Sequence, residues 1–116
     1  MQSNTQKNNP ANQYDVIVLG AGAAGLMAAI TAASRNRSVL VVEKSNKIGK
    51  KILMSGGGKS NFTNTSIEFD NFISQNPHFC KSALSRYTAF DFIKLVEKHK
   101  IEYEERKDHQ LFCIHS

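Results

Sequence analysis

The chain has 116 residues, of which 41% are apolar, 22% charged and 9% aromatic; this suffices for one small globular domain and excludes a disordered composition. A balance of 15 Lys and Arg against 10 Asp and Glu gives a net charge of +5 and a pI near 9.4, which suits an anionic ligand without specifying one. Two cysteines, Cys80 and Cys113, exclude a disulfide scaffold and a four-thiolate zinc site.

In chain order, residues 1–13 are polar and rich in Asn and Gln, and are expected to form a disordered tail. Val16-Ile17-Val18-Leu19 is a continuous, mostly β-branched run, as in a parallel strand buried on both faces. Gly25 to about Ser34 is Ala-rich and predicts a helix, closed by Arg35-Asn36-Arg37. Val39-Leu40-Val41-Val42 predicts a second buried strand ending at Glu43. Together these make one right-handed β-α-β unit, the start of a Rossmann-like α/β fold.

Ser45 to Asn64 reads as a long basic and polar loop; loops of that length are usually functional or disordered. Asn76-Pro77 predicts an N-cap and a helix running to about Arg86. Thr88 and Asp91 have capping-box spacing before a helix whose apolar face is Ala89, Phe92, Ile93 and Val96. Phe90, Phe92, Ile93, Leu95 and Val96 are expected in the core. Ile101–Arg106 and Leu111–Ile114 are candidate short strands, with Tyr103 and the charged run around it on a solvated edge.

The apolar run from Val16 to Ile30 is too short to span a bilayer, which takes about 20 residues. Asp15 directly before it and the spaced glycines within it argue against a secretory signal, so a cytoplasmic protein is expected.

All seven glycines lie between Gly20 and Gly58. Gly20-Ala21-Gly22-Ala23-Ala24-Gly25 is G-x-G-x-x-G set between a predicted strand and a predicted helix, the context that gives this otherwise weak pattern its meaning. The first glycine permits the tight turn, the second the approach of a pyrophosphate, and the third close packing of helix on strand. The helix N-terminus then offers N–H groups and partial positive charge to phosphates. Glu43, 18 residues beyond Gly25 at the tip of the second strand, can accept from both ribose hydroxyls of an adenosine and would repel a 2′-phosphate, favouring FAD or NAD over NADP. Gly58-Lys59-Ser60 fails as a nucleotide-triphosphate loop, because position 53 is Leu where that motif requires glycine.

The second motif runs Gly49-Lys50-Lys51-Ile52-Leu53-Met54-Ser55-Gly56-Gly57-Gly58-Lys59-Ser60-Asn61-Phe62-Thr63-Asn64. Three consecutive glycines permit unusual backbone angles and close approach to a flat ligand, with neutral donors and lysines around them. With Asp15–Ala29, this motif, Ser74–Arg86, Asp91–His99 and Gln110–Cys113, the chain resembles the bacterial NAD(P)/FAD-dependent oxidoreductases of the BaiN/RdsA group, the YhiN-like or aminoacetone-oxidase-like flavoproteins. The resemblance covers about residues 14–113 and implies non-covalent FAD in a glutathione-reductase-like fold, with NAD(P)H as an electron donor. The cofactor contacts it implies are Gly20, Ala21, Gly22, Ala23, Ala24, Gly25, Glu43, Lys44, Lys51, Ser55, Gly56, Gly57, Gly58 and Asn61. It also implies an N-terminal piece of a longer flavoprotein (residues 14–116 as an incomplete FAD-binding domain), inactive alone and completed by a separately encoded remainder.

Two departures stand out. The group carries Gly-Gly-Gly-Arg-Cys-Asn where this chain has Gly56-Gly57-Gly58-Lys59-Ser60-Asn61, losing a bidentate donor and a soft thiol. It carries Leu-Gly-Gln-Leu-Phe-Cys where this chain has Asp108-His109-Gln110-Leu111-Phe112-Cys113. An NAD-dependent dehydrogenase fragment is the alternative that the glycine fingerprint alone allows, and a non-enzymatic remnant is another. A nucleic-acid module would draw on Lys44, Lys47, Lys50, Lys51 and Lys59, but only Phe62 accompanies them as a stacking aromatic, so no specific nucleic acid is expected as a partner. The four histidines have no i, i+4 pair for a metal, and no residue is assigned a catalytic role.

Overall fold

The computed structural model describes residues 13–116, so the expected tail lies outside the described residues except for Gln13. They fall into two compact units, one ending at Lys51 and the other spanning Ile52–Ser116.

The first unit is the β-α-β element. Strand β1 (Val16–Leu19) pairs in parallel with β2 (Val39–Val42), in the register Val16↔Val39 to Leu19↔Val42. Helix α1 (Ala23–Ser34) makes the crossover and packs on both strands. It starts two residues earlier than the sequence pattern predicts. Gly22, in extended conformation, is its N-cap, and the Leu26 N–H donates to the Gly22 carbonyl (2.9 Å). The glycine loop itself thus closes the first helical turn. At the other end Asn36 takes a left-handed φ of +58° and turns the chain out toward β2, a conformation Asn tolerates better than most residues. Asp15 ties the two strand entrances together. Its carboxylate accepts from the Ser38 N–H (2.8 Å) and hydroxyl (3.0 Å), while its own N–H donates to that hydroxyl (2.9 Å).

The chain passes to the second unit within α2 (Lys50–Met54), which runs into a 3-10 turn at Ser55–Gly58 and then β3 (Asn61–Asn64). This corrects the expectation of a loop over Ser45–Asn64. Its last four residues are strand because they pair antiparallel with β5 (Gln110–Cys113), far away in sequence; polar Asn-Phe-Thr-Asn carries little strand propensity of its own. Strand β4 (Tyr103–Glu105) flanks β5 on its other side, giving the antiparallel order β3-β5-β4. Leu111 and Phe112 of β5, with Cys80 and Val96, are the buried apolar residues of this unit. Phe62, at an irregularity in β3, meets Phe92 (5.8 Å) and Tyr103 (5.6 Å) edge to face, the arrangement aromatic quadrupoles favour.

Helix α4 (Ala89–Lys98) carries the expected capping box. The Asp91 N–H donates to the Thr88 hydroxyl (3.2 Å) and the Thr88 N–H to the Asp91 carboxylate (2.9 Å). Two expectations nearby fail. The helix expected from Pro77 begins only at Lys81 (α3, Lys81–Arg86). The Asn76 side chain instead accepts from the His78 N–H (3.1 Å), and Ser74 brackets Asn76 with two further bonds. Such local side-chain bonds compete with helix formation. Phe90, expected in the core, is 60% exposed because it falls off the face that carries Phe92, Ile93 and Val96.

Asp108 and His109 both hold left-handed backbone, φ +58° and +62°. The Asp108 carbonyl accepts from the Asn64 side-chain amide (2.8 Å) and the His109 carbonyl from the Thr65 N–H (3.1 Å), so β3 holds this turn in place. His109 stands where the flavoproteins that the chain resembles carry glycine, and a left-handed non-glycine residue costs about 1 kcal/mol.

Candidate functional site

The glycine loop joins β1 to α1. The Gly20 N–H donates to the Val42 carbonyl (2.7 Å), extending the β1–β2 ladder to the edge of the turn. Gly25 is required by packing: a Cβ there would lie 1.9 Å from the Gly20 carbonyl oxygen and 3.2 Å from the Val18 side chain. Gly22 differs. Its φ of −84° is open to any residue, and a Cβ would meet nothing within 4 Å. The protein's own packing therefore does not explain it, whereas a ligand brought against the loop would. No side chain caps the N-terminus of α1, leaving its first-turn N–H groups to an anion.

Glu43 joins the loop to the tip of β2. One carboxylate oxygen accepts from the Ala21 N–H (2.7 Å), the other from the Ser45 N–H (2.8 Å). Ala21 is fully buried, and its carbonyl accepts from the Gly49 N–H (2.8 Å). One alanine thus clamps the phosphate-loop turn to Glu43 on one side and to Gly49 on the other. Local pattern reading misses Gly49 in this role, because its partner is distant in sequence. Its position next to a lysine pair, with a φ of +64°, is the only sign. Lys44 and Lys51 are exposed.

A dinucleotide fits these residues. A carboxylate offers about four acceptor positions, and Glu43 uses two on backbone N–H groups, leaving two for the adenosine ribose. The open side of Gly22 and the uncapped helix start face the same loop.

In the second unit, Ser55, Gly56, Gly57, Gly58 and Asn61 surround one tight turn. Gly56 and Gly57 are left-handed (φ +58° and +66°), which glycine accepts without strain, and the Ser60 N–H donates back to the Ser55 carbonyl (2.9 Å). A Cβ on Gly56 would lie 2.7 Å from the Phe112 ring and 2.8 Å from the Asn61 backbone nitrogen. The turn is therefore seated directly on the end of the β3–β5 pair. Lys59 reaches the Ile114 carbonyl with its ammonium group, and its own carbonyl accepts from the Cys113 N–H (2.8 Å). This lysine holds the chain after β5.

Three carboxyls sit below their ordinary range. Glu43 is held down by the Ser45 and then the Ala21 N–H bonds, Asp15 by the backbone and then the hydroxyl of Ser38, and Asp91 by the backbone and then the hydroxyl of Thr88. All these bonds favour the ionised form, so the folded chain takes up these protons less readily than the unfolded one. Stability is then complete above the ordinary carboxylate range, about pH 4, and lost as pH falls through the lower folded values. Melting followed by circular dichroism should give a midpoint that is level from about pH 5 to 7 and drops below about pH 4. A midpoint that rises on acidification would contradict this.

Among the described residues no group of three or more His, Cys, Asp and Glu side chains gathers as a metal site, and no helix is long and apolar enough to cross a membrane. His109 pairs with Glu105 (3.0 Å) and His115 with Glu102 (3.1 Å), both on the surface. Cys80, at the start of α3, is buried, and both cysteines are free.

A glycine-rich turn between a parallel strand and its crossover helix, with an acid at the tip of the next strand, defines a Rossmann-type nucleotide-binding element. The chain belongs to the HI0933-like protein Rossmann domain family, whose profile matches residues 14–116. It is 52% identical over 101 residues to a ribosomal RNA dihydrouridine synthase of Escherichia coli, covering 87% of this chain and 25% of that protein. It is 55% identical over 103 residues to the protein of the same name in Haemophilus influenzae, covering 88% and 26%. A 3-dehydro-bile acid delta(4,6)-reductase of Clostridium scindens is 35% identical over 72 residues, covering 60% of this chain and 18% of that one. The chain thus spans about a quarter or less of the length of these relatives. It is a Rossmann domain of a flavoprotein oxidoreductase family.

Proposed function

We propose that the chain holds the adenosine half of FAD in an oxidoreductase whose intact form makes dihydrouridine in ribosomal RNA, with NAD(P)H as the electron donor. The observation that carries the cofactor reading is Glu43, fixed by the Ala21 and Ser45 N–H groups at the mouth of the glycine loop. There its remaining acceptor positions serve the ribose, and its charge disfavours a 2′-phosphate. Gly22 leaves room for the pyrophosphate, and the start of α1 supplies N–H donors to it. FAD would supply the electron chemistry; the protein binds, orients and shields it. The flavin-side contacts fall to the Ser55–Gly58 turn and Asn61.

The RNA substrate is proposed from the names of the two relatives above 50% identity. The bile-acid reductase matches part of the same span, so this span is a shared cofactor module and the substrate is read elsewhere. That agrees with a chain that lacks a stacking platform beside its lysines. Residues 1–116 alone supply too little of the site for turnover.

The test is a titration of the purified chain with FAD and, separately, NAD, followed by flavin fluorescence and calorimetry. FAD should bind and NAD should not. Glu43→Gln should weaken FAD by about tenfold to a hundredfold, the loss of hydrogen bonds to a charged group. NAD binding without FAD binding would replace this reading with the dehydrogenase one.

A further inference from the structure

Strand β1 presents two faces of different character. Val16 and Val18 lie toward α1 and are half-buried, whereas Ile17 is 58% and Leu19 82% exposed. The register places Leu40 beside Ile17 and Val42, 46% exposed, beside Leu19. These four side chains form one apolar face opposite the helix. A parallel sheet is stable when both faces are covered, and two strands make a marginal sheet.

The strand edge is open as well. The N–H groups of Val16 and Gly20 point into β2, so by the alternation of a strand those of Ile17 and Leu19 point away from it. Among the described residues no third strand pairs with β1 or β2. An open edge with apolar side chains is a template for strand addition.

We infer that this face and the β1 edge dock a second polypeptide, one carrying the sequence that makes up the other three quarters of the relatives' length. The relatives are about four times as long as the span they share with this chain. That length is the source of the missing layer and of further strands. The inference rests on family membership and on the bare face, and is independent of which dinucleotide binds.

The experiment co-expresses the full chain with the part of the Escherichia coli relative that follows its matched region, in flavin-free buffer, so failure of the FAD reading leaves the result intact. Size exclusion with light scattering should show a one-to-one complex. Leu19→Lys should cut its affinity by at least about tenfold, since burying an unpaired charge is costly. The same substitution should leave the melting of the free chain unchanged, because Leu19 is already exposed. Ile73→Lys, 99% exposed in the other unit, is the control and should leave the complex intact. Amide exchange at Ile17 and Leu19 should be fast in the free chain and slow in the complex. Absence of a complex, a complex indifferent to Leu19→Lys, a dimer of this chain alone through the same face, or protected Ile17 and Leu19 amides in the free chain would each overturn the inference.

Discussion

Gly25→Ala should destabilise the first unit and abolish dinucleotide binding, although it replaces glycine by the best helix former. Helix propensity alone favours the alanine by about 1 kcal/mol. The added Cβ would lie 1.9 Å from the Gly20 carbonyl oxygen, a backbone atom that cannot swing aside. Either α1 lifts off β1 or the Gly20 turn moves, and the Ala21 bonds to Glu43 and Gly49 move with it. Overpacking of this kind costs about 1–3 kcal/mol and sometimes more, so the clash wins. Urea melting of the variant and of Ala28→Gly, on the exposed side of the same helix, separates the two effects. The second change should cost about 1 kcal/mol through propensity and leave the loop intact. A Gly25→Ala chain as stable as the parent would refute the packing.

Gly56→Ala should be similarly damaging in the second unit, for two reasons that add. The residue is left-handed at φ +58°, which costs a non-glycine residue about 1–2 kcal/mol. The new methyl would also press on the Phe112 ring and the Asn61 nitrogen, and Phe112 is only 9% exposed and cannot rotate away freely. Arg106 stacks on the Phe112 ring at 4.4 Å and holds it further. The expected result is a loss of about 2–4 kcal/mol in urea melting, with faster amide exchange across β3 and β5. Gly57→Ala isolates the backbone term, because a Cβ there meets nothing within 4 Å. It should cost less than half as much. Equal losses at the two positions would show that contact with Phe112 contributes nothing.

The sequence by itself determined the elements whose signals are local. Strands β1 and β2 have the expected ends, because continuous β-branched runs between glycine and polar residues have few other solutions. The Thr88–Asp91 capping box closes as its spacing predicts, since both partners lie within one turn. The fingerprint glycines and Glu43 are legible for the same reason: each is tied to a strand end that the pattern marks.

Tertiary structure alone decided what depends on distant partners. Strand β3 exists because β5 pairs with it, and nothing in Asn61–Asn64 announces that. Gly49 reads as part of a loop and in the fold clamps Ala21. The helix expected at Pro77 gives way to side-chain turns at Ser74 and Asn76, a competition between local bonds that spacing rules do not weigh. Phe90 is expected in the core by hydrophobicity and lies in solvent, because burial belongs to a face and the face is chosen by what packs against it. The apolar residues Ile17 and Leu19 show the limit most plainly. Their sequence predicts burial on both sides of a sheet, and whether a second layer covers them is a property of neighbours in space, which no local pattern encodes.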